Sequence, residues 1–461
     1  MASIAFDKPD ESLALRFPQE DRHGWGFLLL LGTVATLFLR PADLVPALEA
    51  WPVYQFLIFC CLLVAARATL RQLSHRSILE QPVLACLLLL LVAVGFSHLS
   101  HGFVWGARMS VAECCKLVAL YLLIVALANT PYRLIKLVQW LAISITVVAA
   151  LALLDRYELF SVAALESIHD RGAASIDSTE TVERIRGTGI FQDPNDFGLI
   201  LVTGLVLSAS FLLRPHAGWL RHLWLVPCCI LVWTIALTHS RGAMLSLVCA
   251  VPAVVAYCHS VRVGIASLVM IPIIAVVFSA RMTDVNAIVE GTGQSRIQIW
   301  SESFAIWKQH PMFGLGEGLL VDELGVVTHN SFLHCFAELG FLGGAAFVSC
   351  FLAAGMGLWQ LRDDNSPVKS AETACESQQL AHHRTYIFAA LMAYIAGILT
   401  LSRQFVVPTY LMLGLASAAF SHYTPAAARM RVGNRFVVTA LIVSGLSLVA
   451  FYITVRVFIR R

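Results

Sequence analysis

Long apolar stretches recur along almost the whole chain, and each has a length that crosses a bilayer. A helical crossing takes roughly 17–25 mostly apolar residues. Such stretches fall at about 23–39, 49–66, 81–99, 109–129, 134–155, 190–213, 221–238, 243–258, 261–279, 329–360, 385–402, 404–421 and 436–456. Lipid offers no partners to backbone N–H and C=O groups, so each crossing must be a helix. The expected fold is an all-α integral membrane protein, a polytopic bundle of about 12–13 transmembrane helices. Composition agrees: 58% of the 461 residues are apolar and only 13% are charged. Soluble domains carry roughly a quarter charged residues. No hydrophilic block is long enough to fold separately, so residues 1–461 are expected to form a single polytopic membrane domain. A net charge of +3 is too small to point to nucleic acid.

Residues 1–22 are mixed and charged, with no short apolar core followed by a small-residue cleavage site. They are expected to be a cytoplasmic segment, with the first span retained. The twelve cysteines lie mostly in or beside apolar runs, and none has C-x-x-C spacing. They are expected to be small packing residues rather than a disulfide framework or a metal site.

Orientation follows from the bias of lysine and arginine toward cytoplasmic loops. With the N-terminus inside, the inner segments carry Arg67, Arg71, Arg76, Arg133, Lys136, Arg214, Arg221, Arg262, Arg362, Lys369 and Arg384. Short outer loops hold mostly single charges, such as Arg40, Arg108, Arg241 and Arg403. The tail with Arg456, Arg460 and Arg461 then falls outside, against the bias. Two long loops, 156–189 and 280–328, map to the outer face. Loops of that length in a compact protein are usually functional or disordered.

The outer face gathers the residues that could carry chemistry. Asp193-Pro194 has the form of a helix start, cap followed by proline. Arg186 precedes a Gly-Thr-Gly turn where backbone could approach a ligand. Arg241, in Ser240-Arg241-Gly242, is pinned in a turn of a few residues between two spans. It either anchors at headgroups or faces an interior cavity. Ser295 and Gln298 have capping-box spacing, which puts Arg296 in the first turn of a helix. Ile297, Trp300, Phe304 and Trp307 share one face of that helix, so the second long loop is expected to contain an amphipathic helix lying along the outer interface. A helix N-terminus bearing an arginine suits an anion.

His329 stands where the outer loop enters a span, as a cap or as a base able to take a proton from a hydroxyl. Asn330 follows it, and Glu338 lies about two and a half turns deeper, where it could pair with a buried donor. No D-x-D motif occurs on that face to hold a divalent metal against a diphosphate. Arginine would then supply the neutralising charge, for which its fork is well shaped.

With these residues the sequence resembles the superfamily of O-antigen ligases and O-antigen polymerases, polytopic bacterial envelope glycosyltransferases. The matching residues are Arg186-Gly187 through Asn195, Ser240-Arg241-Gly242, Arg296-x-x-x-Trp300 with Pro311 and Gly314-x-Gly316, and His329-Asn330-x-x-Leu333 followed by Glu338-x-Gly340. They span about residues 186–340, which the resemblance makes the core. It implies a metal-independent, inverting transfer without cofactors, from an undecaprenyl-diphosphate carrier to lipid A-core or a growing polysaccharide. Location would be the bacterial inner membrane, multi-pass, with the site facing the periplasm. Carried over, Arg241 and Arg296 bind the diphosphate, Arg186 assists, His329 is the catalytic base, and Asn330 and Glu338 support. The 280–328 loop is short for a ligase, which leaves ligase or polymerase open. A polysaccharide or lipid-carrier transporter, and a non-catalytic assembly subunit, are the alternatives that a dozen helices also fit.

Overall fold

The computed structural model describes residues 24–48, 51–160, 165, 167–171, 181–215, 217–270, 292–362, 371–421 and 430–459. The expected cytoplasmic segment 1–22 and much of the 156–189 and 280–328 loops lie outside them, and the side chain of Cys375 is not described.

The long helices are α1 (Gly24–Leu39), α3 (Val53–Gln72), α5 (Pro82–Leu99), α6 (Val104–Leu127), α7 (Pro131–Arg156), α8 (Pro194–Leu212), α9 (Leu225–Thr238) and α10 (Arg241–Cys258). They continue with α12 (Thr292–Gln309), α14 (Ser331–Gln360), α15 (Ala371–Ile398), α16 (Val407–Ser421) and α17 (Asn434–Phe458). Short helices α2 (Pro41–Leu44), α4 (His75–Glu80), α11 (Val261–Ala266) and α13 (Leu319–Leu324) lie between them. A small antiparallel hairpin, β1 (Ile168–Arg171) with β2 (Thr181–Arg184), is the one strand pair among the described residues. It stands in the first long loop, which the sequence left without secondary structure.

Nine helices among the described residues are long and apolar enough to cross a membrane. Shorter apolar helices at Gly24–Leu39 and Val407–Phe420 join them, and α15 occupies the expected span at 385–402. The chain is thus an all-α, multi-pass membrane protein. The second expected span sits later than predicted, at Val53–Gln72 rather than 49–66. The expected span 261–279 is described only to residue 270, as α11 and a short 3-10 turn; the rest of it lies outside the described residues.

Helices α8 and α14 are the most enclosed. Small residues let their neighbours approach closely at one end of the bundle. A Cβ on Gly198 of α8 would lie 2.7 Å from Ala243 of α10, and one on Gly242 would lie 2.6 Å from Thr400 Oγ1. Such contacts are the usual means of close helix association in lipid. They bring the start of α8, the start of α10 and the end of α15 together.

Helix α14 breaks at Gly340, whose φ of 65° and ψ of −164° are not helical. The break frees the carbonyls of Ala337 and Glu338 and the N–H groups of Phe341 and Leu342. Residues 311–316 cross the gap and replace every one of those partners. Leu315 N donates to Ala337 O (3.1 Å) and Gly316 N to Glu338 O (2.9 Å); Phe341 N donates to Pro311 O (2.7 Å) and Leu342 N to Met312 O (3.3 Å). Irregular backbone at membrane depth is tolerated only when protein satisfies it in this way.

Two sequence expectations about α12 need correction. The helix starts at Thr292, so Ser295 lies inside it and caps nothing; Gln298 donates instead to Glu302 (3.3 Å). Its aromatic face packs on protein. Trp300 packs on Phe451 and Phe304 on Tyr452, both of α17, and Trp300 Nε1 donates to Thr328 O (2.8 Å). These contacts put the C-terminal half of α17 at the α12 end of the bundle. The end of α17, with Arg456, therefore shares the end of the bundle that carries Arg241 and His329.

Candidate functional site

Four chain segments supply the site, and each is locally fixed. Asp193 caps α8, accepting from Asn195 N at 2.6 Å, with Pro194 in the first turn as the sequence predicts. Ser240 caps α10, accepting from Ala243 N at 3.2 Å, so Arg241 is the first helical residue. Arg296 projects from the second turn of α12. Asn330 caps α14 through Oδ1, which accepts from Phe332 N (3.1 Å) and Leu333 N (3.0 Å).

His329 immediately precedes that cap and has a φ of 51°. A side-chain-bearing residue in this left-handed region costs about 1–2 kcal/mol, so the flanking residues must hold it there. Thr328 Oγ1 bonds His334 Nδ1 (2.9 Å) and Ser402 Oγ (3.0 Å), while Ser331 Oγ donates to Leu401 O (2.6 Å). Strain held by well-bonded neighbours is a feature of functional positions.

Electrostatics tie the charged groups together. Burial disfavours the charged form of Arg296, Arg241 adds to that effect, and Asp193 opposes it. The guanidinium nonetheless stays protonated, so two like charges share a partly enclosed space. Burial also pushes His329 below the ordinary imidazole range; Arg296 and Arg403 push the same way, and Asp193 resists. His329 is therefore neutral near pH 7, able to accept a proton.

Among the described residues, the buried donors without a protein partner include Arg186 Nε and Asn330 Nδ2. Arg186 arrives by its own route. Ile185 N donates to Leu237 O (3.3 Å), and Arg184 bonds Thr238 O (2.8 Å) and Asn195 Oδ1 (2.9 Å). The segment carrying Arg186 is thereby clamped to the turn that carries Arg241.

Glu338 belongs to a different arrangement. Its Oε1 accepts from Gly318 N (3.0 Å), Leu320 N (3.4 Å) and His334 Nε2 (3.0 Å). It thus anchors the 316–320 turn beneath the break in α14. His334 and Thr328 connect it to the His329 turn, so its link to the site is mechanical.

Two charged residues escape a reading of the sequence. Arg403 lies in the turn between α15 and α16 and pairs with Asp196 through both carboxylate oxygens. The argument that singles out Arg241, an arginine held in a short outer turn, applies equally to Arg403. Asp196 is hidden by its position in the first turn of α8, where an acidic residue needs no further reason. Its carboxylate is buried, while Arg403 is about one-third exposed (35%). Asp196→Ala is expected to lower stability by about 2 kcal/mol, short of the roughly 3–5 kcal/mol of a fully buried broken pair. Thermal unfolding in detergent measures it, and an unchanged midpoint would contradict the pairing.

A family model described as O-antigen ligase matches residues 226–348. The matched stretch contains Arg241, Arg296, His329, Asn330 and Glu338; Arg186 precedes it. A search of curated proteins finds no match. Through residues 226–348, in a chain with nine long apolar helices among its described residues, this multi-pass membrane protein is similar to the O-antigen ligase family.

Proposed function

We propose that the protein transfers a glycan from an undecaprenyl-diphosphate carrier to a hydroxyl of lipid A-core or of a growing polysaccharide. The observation that carries this reading is the gathering of Arg241, Arg296 and His329 closely enough for Arg241 to act on the charge of Arg296 and Arg296 on that of His329. Two like charges held together favour a ligand that brings at least two negative charges, as a diphosphate does. Orphaned donors on Arg186 and Asn330 offer further bonds to its oxygens.

In the proposed step the acceptor oxygen forms a bond to the anomeric carbon from the face opposite the diphosphate. His329 takes the hydroxyl proton as the bond forms. The anomeric C–O bond breaks, its electron pair leaves on the diphosphate, and the configuration inverts. Arg241 and Arg296 stabilise that leaving charge, in the role a divalent cation could otherwise fill. An apolar groove of about 480 Å³ between α14, α15 and α17 supports the lipid part of the reading. It runs from Phe332 and Leu399, at the site end, toward Trp359 and Met356, and suits part of an isoprenoid chain. The charge bias of the loops supports a periplasmic site on the bacterial inner membrane.

Reconstitution with a lipid-linked glycan tests the reaction class. Transfer releases undecaprenyl diphosphate and leaves the glycan on the acceptor. Movement of intact carrier across the vesicle without covalent change would replace this reading with transport. In a deletion strain, loss of all long chains on lipid A-core marks a ligase, and attachment of single repeat units marks a polymerase.

The base role carries a pH signature. Only neutral His329 accepts a proton, so kcat/KM rises with pH through its pKa. Because that pKa is lowered, the acid limb lies below about 6.5, the ordinary imidazole value. Asp193→Asn keeps an α8 cap and removes a carboxylate that favours imidazolium. The limb is expected to move to lower pH in that variant. A shift to higher pH, or none, would count against His329 as the titrating group.

A further inference from the structure

A second cavity, of about 470 Å³, opens at the end of the bundle opposite Arg241. It lies where α7 begins, α8 ends and the 3-10 turn Trp219–Trp224 leads into α9. Lys136, Arg214 and Arg221 line it together with Tyr132, Trp224 and Gln379. No carboxylate among the described residues lines it or forms an ion pair with any of the three cations. Their hydrogen-bond partners are neutral: Lys136 donates to Gln139 Oε1 (3.3 Å), and Arg221 donates to the Arg214 carbonyl (3.3 Å).

The wall is built rather than incidental. Trp224 stacks on Phe211 with centroids 4.5 Å apart, and Phe211 in turn meets His383 at 4.6 Å. His383 Nδ1 bonds Ser210 Oγ (3.0 Å) and His382 Nε2 bonds Ser210 O (2.7 Å). The C-terminal turn of α8, from which Arg214 extends, is thus locked to α15. Beside the cavity, Trp219, Leu220, Leu223 and Val226 are exposed. They form an apolar strip with an aromatic at its rim, the composition of a membrane interface.

From this geometry we infer a binding site for a phosphate-bearing anion, the headgroup of an anionic phospholipid. Three cations that no described carboxylate compensates meet the phosphate. The exposed strip on the 3-10 turn and the start of α9 takes the acyl chains. Basic pockets between transmembrane helices bind such headgroups by the same physics. The site is separate from the Arg241–Arg296 pair and does not depend on the transfer reaction.

The test uses the full chain purified in a neutral detergent. Thermal unfolding is followed while phosphatidylglycerol, phosphatidylcholine or inorganic phosphate is titrated. Phosphatidylglycerol is expected to raise the midpoint saturably by roughly 3 °C or more, and phosphatidylcholine is not. The Lys136→Ala/Arg221→Ala variant is expected to lose that rise while keeping its midpoint in phosphatidylcholine. Lys136→Glu, at an exposed position, is a milder variant expected to raise the half-saturating lipid concentration roughly tenfold. A rise reproduced by inorganic phosphate and lost in the variants identifies a soluble phosphate ligand of the same site. Equal effects of the two lipids, or a rise retained in both variants, would overturn the assignment.

Discussion

Replacing Arg296 with alanine is expected to lower kcat/KM for glycan transfer by about 100- to 1000-fold, the loss typical of one preorganised group at a developing anion. Stability should not fall with it. Burial and Arg241 both disfavour the Arg296 charge in the free protein, so its removal relieves repulsion, and the unfolding midpoint should hold or rise. Loss of activity with retained stability separates a binding role from a structural one. Arg241→Ala should lower kcat/KM by a similar factor. The double variant should lose less than the product of the two single effects, because both groups neutralise one ligand. Arg296→Lys keeps the charge but not the planar fork, and should recover all but roughly a tenfold deficit. Full transfer by Arg296→Ala would remove the site from this pair.

Gly340→Ala is expected to produce the largest structural effect of any single substitution in the core. A Cβ at Gly340 would lie 2.3 Å from the Met312 carbonyl, and one at Gly314 would lie 2.2 Å from the Glu338 carbonyl. Both glycines have positive φ, 65° and 74°. The added carbon would therefore meet backbone, which cannot rotate away. It would also part the two strands of chain that exchange four hydrogen bonds across the break in α14. The left-handed conformation contributes about 1–2 kcal/mol and the overlap about 1–3 kcal/mol. A total of about 2–5 kcal/mol is expected, seen as loss of monodisperse protein in detergent. Gly433→Ala serves as the control, since nothing lies within 4 Å of its added carbon and its φ is negative. A Gly340→Ala protein with the wild-type midpoint would refute the exchange.

The membrane helices were legible because lipid imposes one demand, length with apolarity, on every span. The cap at Asp193 was legible because it is local. What the sequence withheld depends on partners distant in the chain. An apolar face on α12 is visible from spacing, but spacing does not say whether lipid or protein covers it; Phe451 and Tyr452 lie some 150 residues away. Gly340 stands near Gly343 and Gly344, where glycine equally suits close helix packing. Only the crossing of residues 311–316 shows that it breaks the helix. Asp196 looked like an ordinary first-turn acid until Arg403 met it. Arg241 and Arg296 were legible as candidates from their places at helix starts, whereas their proximity required the fold.

The central claim is that the donor diphosphate lies between Arg241 and Arg296. Equilibrium binding of undecaprenyl diphosphate to the purified protein tests it most directly, compared with undecaprenyl phosphate and with the Arg241→Ala/Arg296→Ala variant. The account predicts that the diphosphate binds at least roughly tenfold more tightly than the monophosphate, and that the variant loses this preference. Equal affinity for the two lipids, or a preference that survives in the variant, would contradict it.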